Sequence, residues 1–315
     1  MMPQDIAYVG VDVSKTWLDV CVLGQPKSWR VANKAAGWEV LRARLGALDL
    51  PVVVGVEPSG GYERGLVRAL IEAQIEVRWT DPARVRALAK ALGAPAKTDA
   101  IDASMIARFV AQAEGHPIRL DDNRQRLKDL LAARQACGQV ARQLKAQAQV
   151  LDHLPARQAL EDLAAAAALE AKSLTRQAMA LVQEHVDLRS QWIRMQTAPG
   201  VGPLVAAELV AHMPELGCVS GKTIAKLAGL APFIRKSGAW VGRARCSGGR
   251  ARPRQALYMA AVASLRAKLG PRPVFQRLTS AGKPVKVAIT ACMRRLLVTL
   301  NAMIRDQIDW YPTIA

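Results

Sequence analysis

A chain of 315 residues allows about two domains, and an apolar fraction of 51 % is enough for sizeable cores. Lys and Arg number 44 against 26 Asp and Glu, a net charge of +18 that points to a polyanionic partner. Five scattered cysteines without C-x-x-C spacing exclude a disulfide framework and a thiolate zinc site. No uninterrupted apolar run approaches the roughly 18 residues of a membrane span, and no basic segment precedes a hydrophobic one near the start, so a reduced, cytoplasmic protein without membrane association is expected.

In chain order, residues 6–11 form a short β-branched run that reads as a buried strand and is closed by Asp12. Residues 17–23 read as a second strand, hairpinned to the first, and residues 29–31 as a third. A helix over 35–48 leads into a strand over 52–56, closed by Glu57, and a helix over 62–73 leads into a strand over 75–79. Strands followed by alternating helices and strands predict a mixed α/β sheet of the ribonuclease-H kind over residues 1–120. Open α/β sheets place their chemistry at the C-terminal strand edge, where Asp12 and Glu57 fall. A helical stretch from 100 to 112 begins at Asp99 and Asp102, whose three-residue spacing puts both carboxylates on one helix face.

Each acid alone has an ordinary explanation: Asp12 as a turn residue, Glu57 as a solvated loop acid, Asp99 as a helix cap. Together they form a set of hard oxygen donors whose mutual repulsion calls for Mg²⁺, with Mn²⁺ as the alternative. Such a set suits two-metal phosphoryl transfer.

Residues 121–195 are rich in Ala, Gln, Leu and Arg. Leu130, Cys137, Leu144 and Leu151 lie seven apart, and the spacing restarts with Leu160, Ala167, Leu174, Leu181 and Leu188. Two long helices are predicted, matching either an intermolecular coiled coil or an antiparallel hairpin within one bundle.

Residues 196–315 open with Pro199-Gly200-Val201-Gly202-Pro203, a turn feeding a helix that resembles a helix-hairpin-helix DNA-backbone binder. From 216 to 305 there is no acidic residue, and Arg235, Lys236, Arg243, Arg245, Arg250, Arg252 and Arg254 crowd a Gly- and Ser-rich stretch. An all-α domain with a nucleic-acid-binding surface is expected.

The sequence resembles the insertion-sequence-110 transposases, DEDD-type recombinases of bacterial mobile elements guided by a bridge RNA. The resemblance covers nearly the whole chain. It rests on Tyr8-Val9-Gly10-Val11-Asp12-Val13-Ser14-Lys15, Val56-Glu57-Pro58-Ser59-Gly60-Gly61-Tyr62 and Lys97-Thr98-Asp99-Ala100-Ile101-Asp102-Ala103. Further along it rests on Pro199-Gly200-Val201-Gly202, Leu227-Ala228-Gly229-Leu230-Ala231-Pro232, Lys236-Ser237-Gly238 and Ala256-Leu257-Tyr258-Met259-Ala260.

The resemblance implies a RuvC-like first domain whose four acids bind Mg²⁺, and a serine nucleophile in the C-terminal domain that links transiently to DNA. By motif that serine is Ser237; chemistry alone would not select it over Ser220 and Ser247, which also lie near basic residues. It further implies a tetramer, donor and target double-stranded DNA, a structured guide RNA that reads sequence by base pairing, and a place at the bacterial nucleoid. Three rival classes are an actin-like ATPase, a non-catalytic nucleic-acid-binding protein and a hydrolytic Holliday-junction resolvase. The first needs a second Asp-Gly-Gly phosphate loop that the chain lacks. The third would leave free 5′-phosphate ends and no protein–DNA adduct.

Overall fold

The computed structural model describes residues 6–25, 27–93, 99–112, 116–233, 236–237, 240–241, 245–266 and 270–311. The chain divides into two compact units, residues 1–120 and 121–315.

The first unit is built on a six-stranded sheet. Strands β1 (Ala7–Val13), β2 (Trp17–Val22) and β3 (Trp29–Ala32) are followed by helix α1 (Ala35–Gly46), and β4 (Val52–Val56) by helix α2 (Arg64–Glu72). Then come β5 (Glu76–Trp79), α3 (Pro82–Ala91), α4 (Asp99–Gln112) and the short β6 (His116–Pro117). The order across the sheet is β3-β2-β1-β4-β5-β6. Strands β1, β4 and β5 run parallel, while β2, β3 and β6 pair antiparallel with their neighbours. This mixed sheet is compatible with the ribonuclease-H or RuvC-like expectation.

Strand alternation sends Val9, Val11, Val13, Val54 and Val56 to one face, where they bury against Leu41 and Leu45 of α1 and Leu66, Val67 and Leu70 of α2. The opposite face carries α4, with α3 packed on it through Val85, Met105, Ile106 and Phe109. Helix α3 was not anticipated from the sequence. Pro82 sits in its first turn, and the Asp81 carboxylate caps it by accepting from the Ala83 amide at 2.8 Å.

The second unit opens with α5 (Asp122–Ala148), α6 (Leu154–Glu184) and α7 (Val186–Gln196). These lead to α8 (Pro203–His212) and α9 (Gly221–Leu227), then to two-residue strands β7 (Pro232–Phe233), β8 (Lys236–Ser237), β9 (Trp240–Val241) and β10 (Arg245–Cys246). Helices α10 (Ala251–Arg266), α11 (Arg272–Ser280) and α12 (Val285–Asp306) complete it. The small strands pair as β7 with β10 and β8 with β9, an addition to the all-α expectation.

Helices α5 and α6 pack antiparallel: Asn123 meets His185 at 3.1 Å near one end, and Arg134 meets Thr175 at 3.3 Å further along. The seven-residue repeat is present, but its phase differs from the leucine register predicted above. The buried positions are Leu127, Leu131, Ala141 and Ala148 on α5 and Ala164, Ala178 and Val182 on α6. Leu130, Cys137, Leu144, Leu160, Leu174 and Leu181 are half-buried at the flanks. Alanine at the centre lets two helices approach closely, so the bulkier leucines fall beside the seam.

The expected boundary at 195/196 does not separate two cores. Leu127, Leu131, Ala178 and Val182 share one apolar cluster with Met195, Leu209, Leu257, Cys292 and Leu297. Among the described residues α12 alone is long and apolar enough on average to cross a membrane, although Lys286, Arg294 and Arg295 interrupt its apolar run. Its apolar side, with Ile289, Met293, Leu296 and Leu300, is buried in that cluster, as befits a core helix.

Candidate active site

Gly10 and Gly55 are direct partners on the parallel strands β1 and β4. Asp12 and Glu57 each lie two residues further on, and in extended chain i and i+2 share a face. That face is the one covered by α4. A Cβ on Gly10 would overlap the Ala103 carbonyl oxygen and the Ala107 amide nitrogen, and one on Gly55 would stand 3.0 Å from the Ile106 side chain. Asp102 immediately precedes Ala103, and Asp99 begins the same helix. The two sheet acids and the first turn of α4 are therefore drawn to one place by the close seating of a helix on two glycines.

Asp12, Glu57 and Asp102 are half-buried. Burial, and next the Asp12 carboxylate, push the Glu57 carboxyl above its usual range; Arg86 on α3 opposes this, while Asp102 and Asp81 add to it. The described acids thus act on one another electrostatically. No group of three or more His, Cys, Asp or Glu among the described residues stands close enough to hold a metal. The Asp99 side chain lies outside the described residues.

Asp12 also faces Asp19 across the β1–β2 pair, a juxtaposition of like charges that costs stability unless one is compensated. Asp19 in turn faces Arg30 on β3. The guanidinium forms two parallel bonds to the Asp19 carboxylate, both 2.9 Å. This bidentate grip neutralises Asp19 beside Asp12.

Two further side chains brace the loops that follow the sheet acids. The Asn33 amide nitrogen donates to the Ser14 carbonyl at 2.8 Å and to the Tyr62 carbonyl at 3.0 Å, and its oxygen accepts from the Trp38 indole at 2.9 Å. The buried Glu63 accepts on one oxygen from the Ser59 amide at 3.1 Å, the Ser59 hydroxyl at 2.6 Å and the Gly61 amide at 2.9 Å. Burial pushes the Glu63 carboxyl upward, but the Ser59 hydroxyl and the loop amides outweigh it and hold the group below its usual range. Sequence reasoning missed Asn33, Glu63 and Arg86. Glu63 had a local signal, since an acid behind a Ser-Gly-Gly loop has amides to bind; Asn33 had none.

In the second unit Ser237 lies on β8, opposite Trp240 on β9. Its side chain and that of Lys236, and all of Arg235 and Arg243, lie outside the described residues. Arg245, on β10, is exposed. Arg250 binds Glu215 through both terminal nitrogens, at 2.7 and 2.6 Å, and donates to the His212 carbonyl at 2.8 Å. Arg252 stands 3.9 Å from Glu208, and Arg254 donates to the Gly248 carbonyl at 2.5 Å. Each of these three arginines of the basic stretch therefore has an acidic or carbonyl neighbour within the second unit. Burial, then Lys128, Arg252 and Arg250, depress the His212 pKa to about 4. His212 is accordingly neutral near pH 7, and its 3.5 Å approach to Glu208 is not an ion pair.

Gly200, at φ +81°, sits against α10, where a Cβ would overlap the Ala260 carbonyl. Gly202 faces open space at the start of α8, with no side chain capping that helix. The two glycines of the motif thus have different surroundings, Gly200 packed against α10 and Gly202 open.

Residues 9–156 match a family model for DEDD transposases of the IS110 type, and residues 194–276 match the model described as transposase, IS116/IS110/IS902 family. Together the two matches take in more than two thirds of the chain. The pilin gene-inverting proteins of Moraxella bovis and Moraxella lacunata are each 27 % identical over 314 residues, 95 % of this chain and 96 % of theirs. A 42 kDa protein of insertion element IS900 from Mycobacterium paratuberculosis is 34 % identical over 123 residues, 36 % of this chain and 29 % of that protein. With the acidic motif on the sheet and helix described above, these matches show that the chain belongs to the IS116/IS110/IS902 family of transposases.

Proposed function

We propose that the protein is a metal-dependent DNA recombinase of an insertion sequence, guided by a structured RNA and acting through a covalent phosphoserine link. The observation that carries this reading is the placement of Asp12 and Glu57 at the C-terminal ends of neighbouring parallel strands, under the helix that bears Asp99 and Asp102. The donor chemistry fits a hard divalent cation. Every candidate ligand is a carboxylate, and burial first, then the Asp12 carboxylate, push the Glu57 carboxyl upward, a state that a bound cation would relieve. Asp12, Glu57, Asp99 and Asp102 would hold Mg²⁺, or Mn²⁺, which supplies Lewis acidity at the scissile phosphate.

Ser237 is the nucleophile in this reading. Its Oγ bonds to phosphorus as the phosphorus–oxygen bond to the leaving deoxyribose breaks, the serine proton departs, and the leaving oxygen becomes a hydroxyl. The number of phosphoester bonds is unchanged, so the strand can be rejoined to a new partner. Arg235, Lys236, Arg243 and Arg245 supply positive charge near the serine in sequence, suited to an alkoxide and to a phosphorane-like transition state. No acid lies between 216 and 305 to act as base. The base therefore comes from outside this stretch, and the protein works as a tetramer. Backbone contacts to donor and target DNA and to the guide RNA fall to Gly202 and the basic stretch, and the working place is the cytoplasm, at the nucleoid.

The test is a denaturing gel of protein incubated with the element's own ends, its flanking structured RNA and Mg²⁺. A protease-sensitive adduct that is lost in Ser237→Ala supports the reading. Efficient cleavage leaving free 5′-phosphates and no adduct would assign a hydrolytic resolvase instead.

A further inference from the structure

We propose that Asn33 and Glu63 are positioning residues that hold Asp12 and Glu57 at the spacing needed for a shared cation. The inference rests on the reading of those acids as metal ligands. Asp12 and Glu57 sit on adjacent strands, but each is followed within a few residues by a turn, at Ser14 and at Ser59 to Gly61, so strand pairing alone does not fix the chain beyond them. Asn33 closes that gap. Its one amide nitrogen bonds the Ser14 carbonyl, two residues after Asp12, and the Tyr62 carbonyl, five residues after Glu57. With two carbonyls on one side and the Trp38 indole donor on the other, only one orientation of the amide satisfies every partner.

Glu63 does the complementary work within the second loop. It is the residue before α2, yet its carboxylate caps no helix amide. It reaches back to Ser59 and Gly61, and three donors on one oxygen make the loop after Glu57 a closed ring. A buried ionised carboxylate fed by loop amides is a rigid element, because losing its bonds would leave a charge unsolvated. Both side chains bond the loops that follow Asp12 and Glu57, so both act through those loops.

Two near-isosteric substitutions in the full-length protein test this. Asn33→Asp keeps an acceptor for the Trp38 indole and removes both donors. Glu63→Gln keeps the shape and removes the charge. Mn²⁺ binding, followed by the paramagnetic resonance of the free ion, is read beside thermal unfolding in chelator. We expect Mn²⁺ affinity to fall about 10–100-fold in each variant, the usual effect of disturbing groups behind metal ligands, with the protein still folded at the assay temperature. Ser59→Ala, which removes one of the three donors, should weaken binding less, and it serves if Glu63→Gln does not fold. Folded variants that bind Mn²⁺ as the unsubstituted protein does would overturn the proposal. The underlying reading fails separately, if Glu57→Gln and Asp12→Asn leave Mn²⁺ binding unchanged.

Discussion

Gly10 and Gly55 stand side by side on β1 and β4 and form a flat patch on which α4 rests, directly upstream of Asp12 and Glu57. The absence of two side chains is what brings a helix bearing two acids to a sheet bearing two more. A methyl group at Gly10 would lift the helix before it altered any ligand.

Gly10→Ala should therefore be the more damaging of the two substitutions. Its Cβ meets helix backbone, which cannot move aside without shifting α4, whereas Gly55→Ala meets the Ile106 and Val110 side chains at 3.0–3.3 Å. Overpacking of this kind costs about 1–3 kcal/mol, and urea titration should place Gly10→Ala at or beyond the upper end and Gly55→Ala near the lower. Equal stabilities would show that α4 is not seated on the glycines.

Glu57→Gln should stabilise the metal-free protein near neutral pH. Because the folded-state pKa of Glu57 lies above its ordinary 4.5, the native state binds this proton more tightly than the unfolded chain does. The group's favourable contribution is full below the ordinary value and is lost as pH rises through the raised one. Unfolding curves of the two proteins in chelator should coincide in acid and draw apart as pH rises from the ordinary value through the raised one, with the variant the more stable beyond it. A variant less stable than the parent at pH 7 would contradict the burial and repulsion assigned to Glu57.

Arg30→Gln should leave Asp19 uncompensated opposite Asp12 and lower stability, while the double substitution with Asp19→Asn should restore most of the loss. The Arg30 side chain is 48 % exposed, so a coupling of about 0.5–1 kcal/mol is expected from the double-mutant cycle. A coupling of zero would mean that solvent already screens the pair.

Arg245 and Arg250 should separate in their effects. Arg245 is exposed and Arg250 is bound to Glu215. Arg250→Ala is expected to lower stability by about 1 kcal/mol, the two groups being partly solvated. Arg245→Ala should leave unfolding unchanged and weaken nucleic-acid binding with a shallower salt slope. For the full protein, six to ten phosphate contacts would mean a loss of about 10³–10⁵ in affinity between 50 and 200 mM salt. Binding indifferent to salt would remove the electrostatic account altogether.

The sheet was legible because Val-rich runs bounded by turn residues have few alternatives, and four of the acids' positions follow from those runs and one helix start. What escaped was everything decided by close approach. The α5–α6 seam kept its period but not its phase, because a search for leucines overlooks Ala141, Ala148, Ala164 and Ala178. Helix α3 escaped because a single buried apolar residue, Val85, gives almost no periodic signal. The bracing by Asn33 could not be read at all, since its partners are distant in sequence and are backbone carbonyls, which every residue possesses.

The ion pairs of the second unit carry one more consequence. After residue 200 the chain has four acids, Glu208, Glu215, Asp306 and Asp309, and each lies within 4 Å of an arginine: Arg252, Arg250, Arg305 and Arg194. All four acids are paired within the chain, so this region carries a clear excess of positive charge. Two copies of such a surface repel at low ionic strength and come together most readily with a polyanion between them.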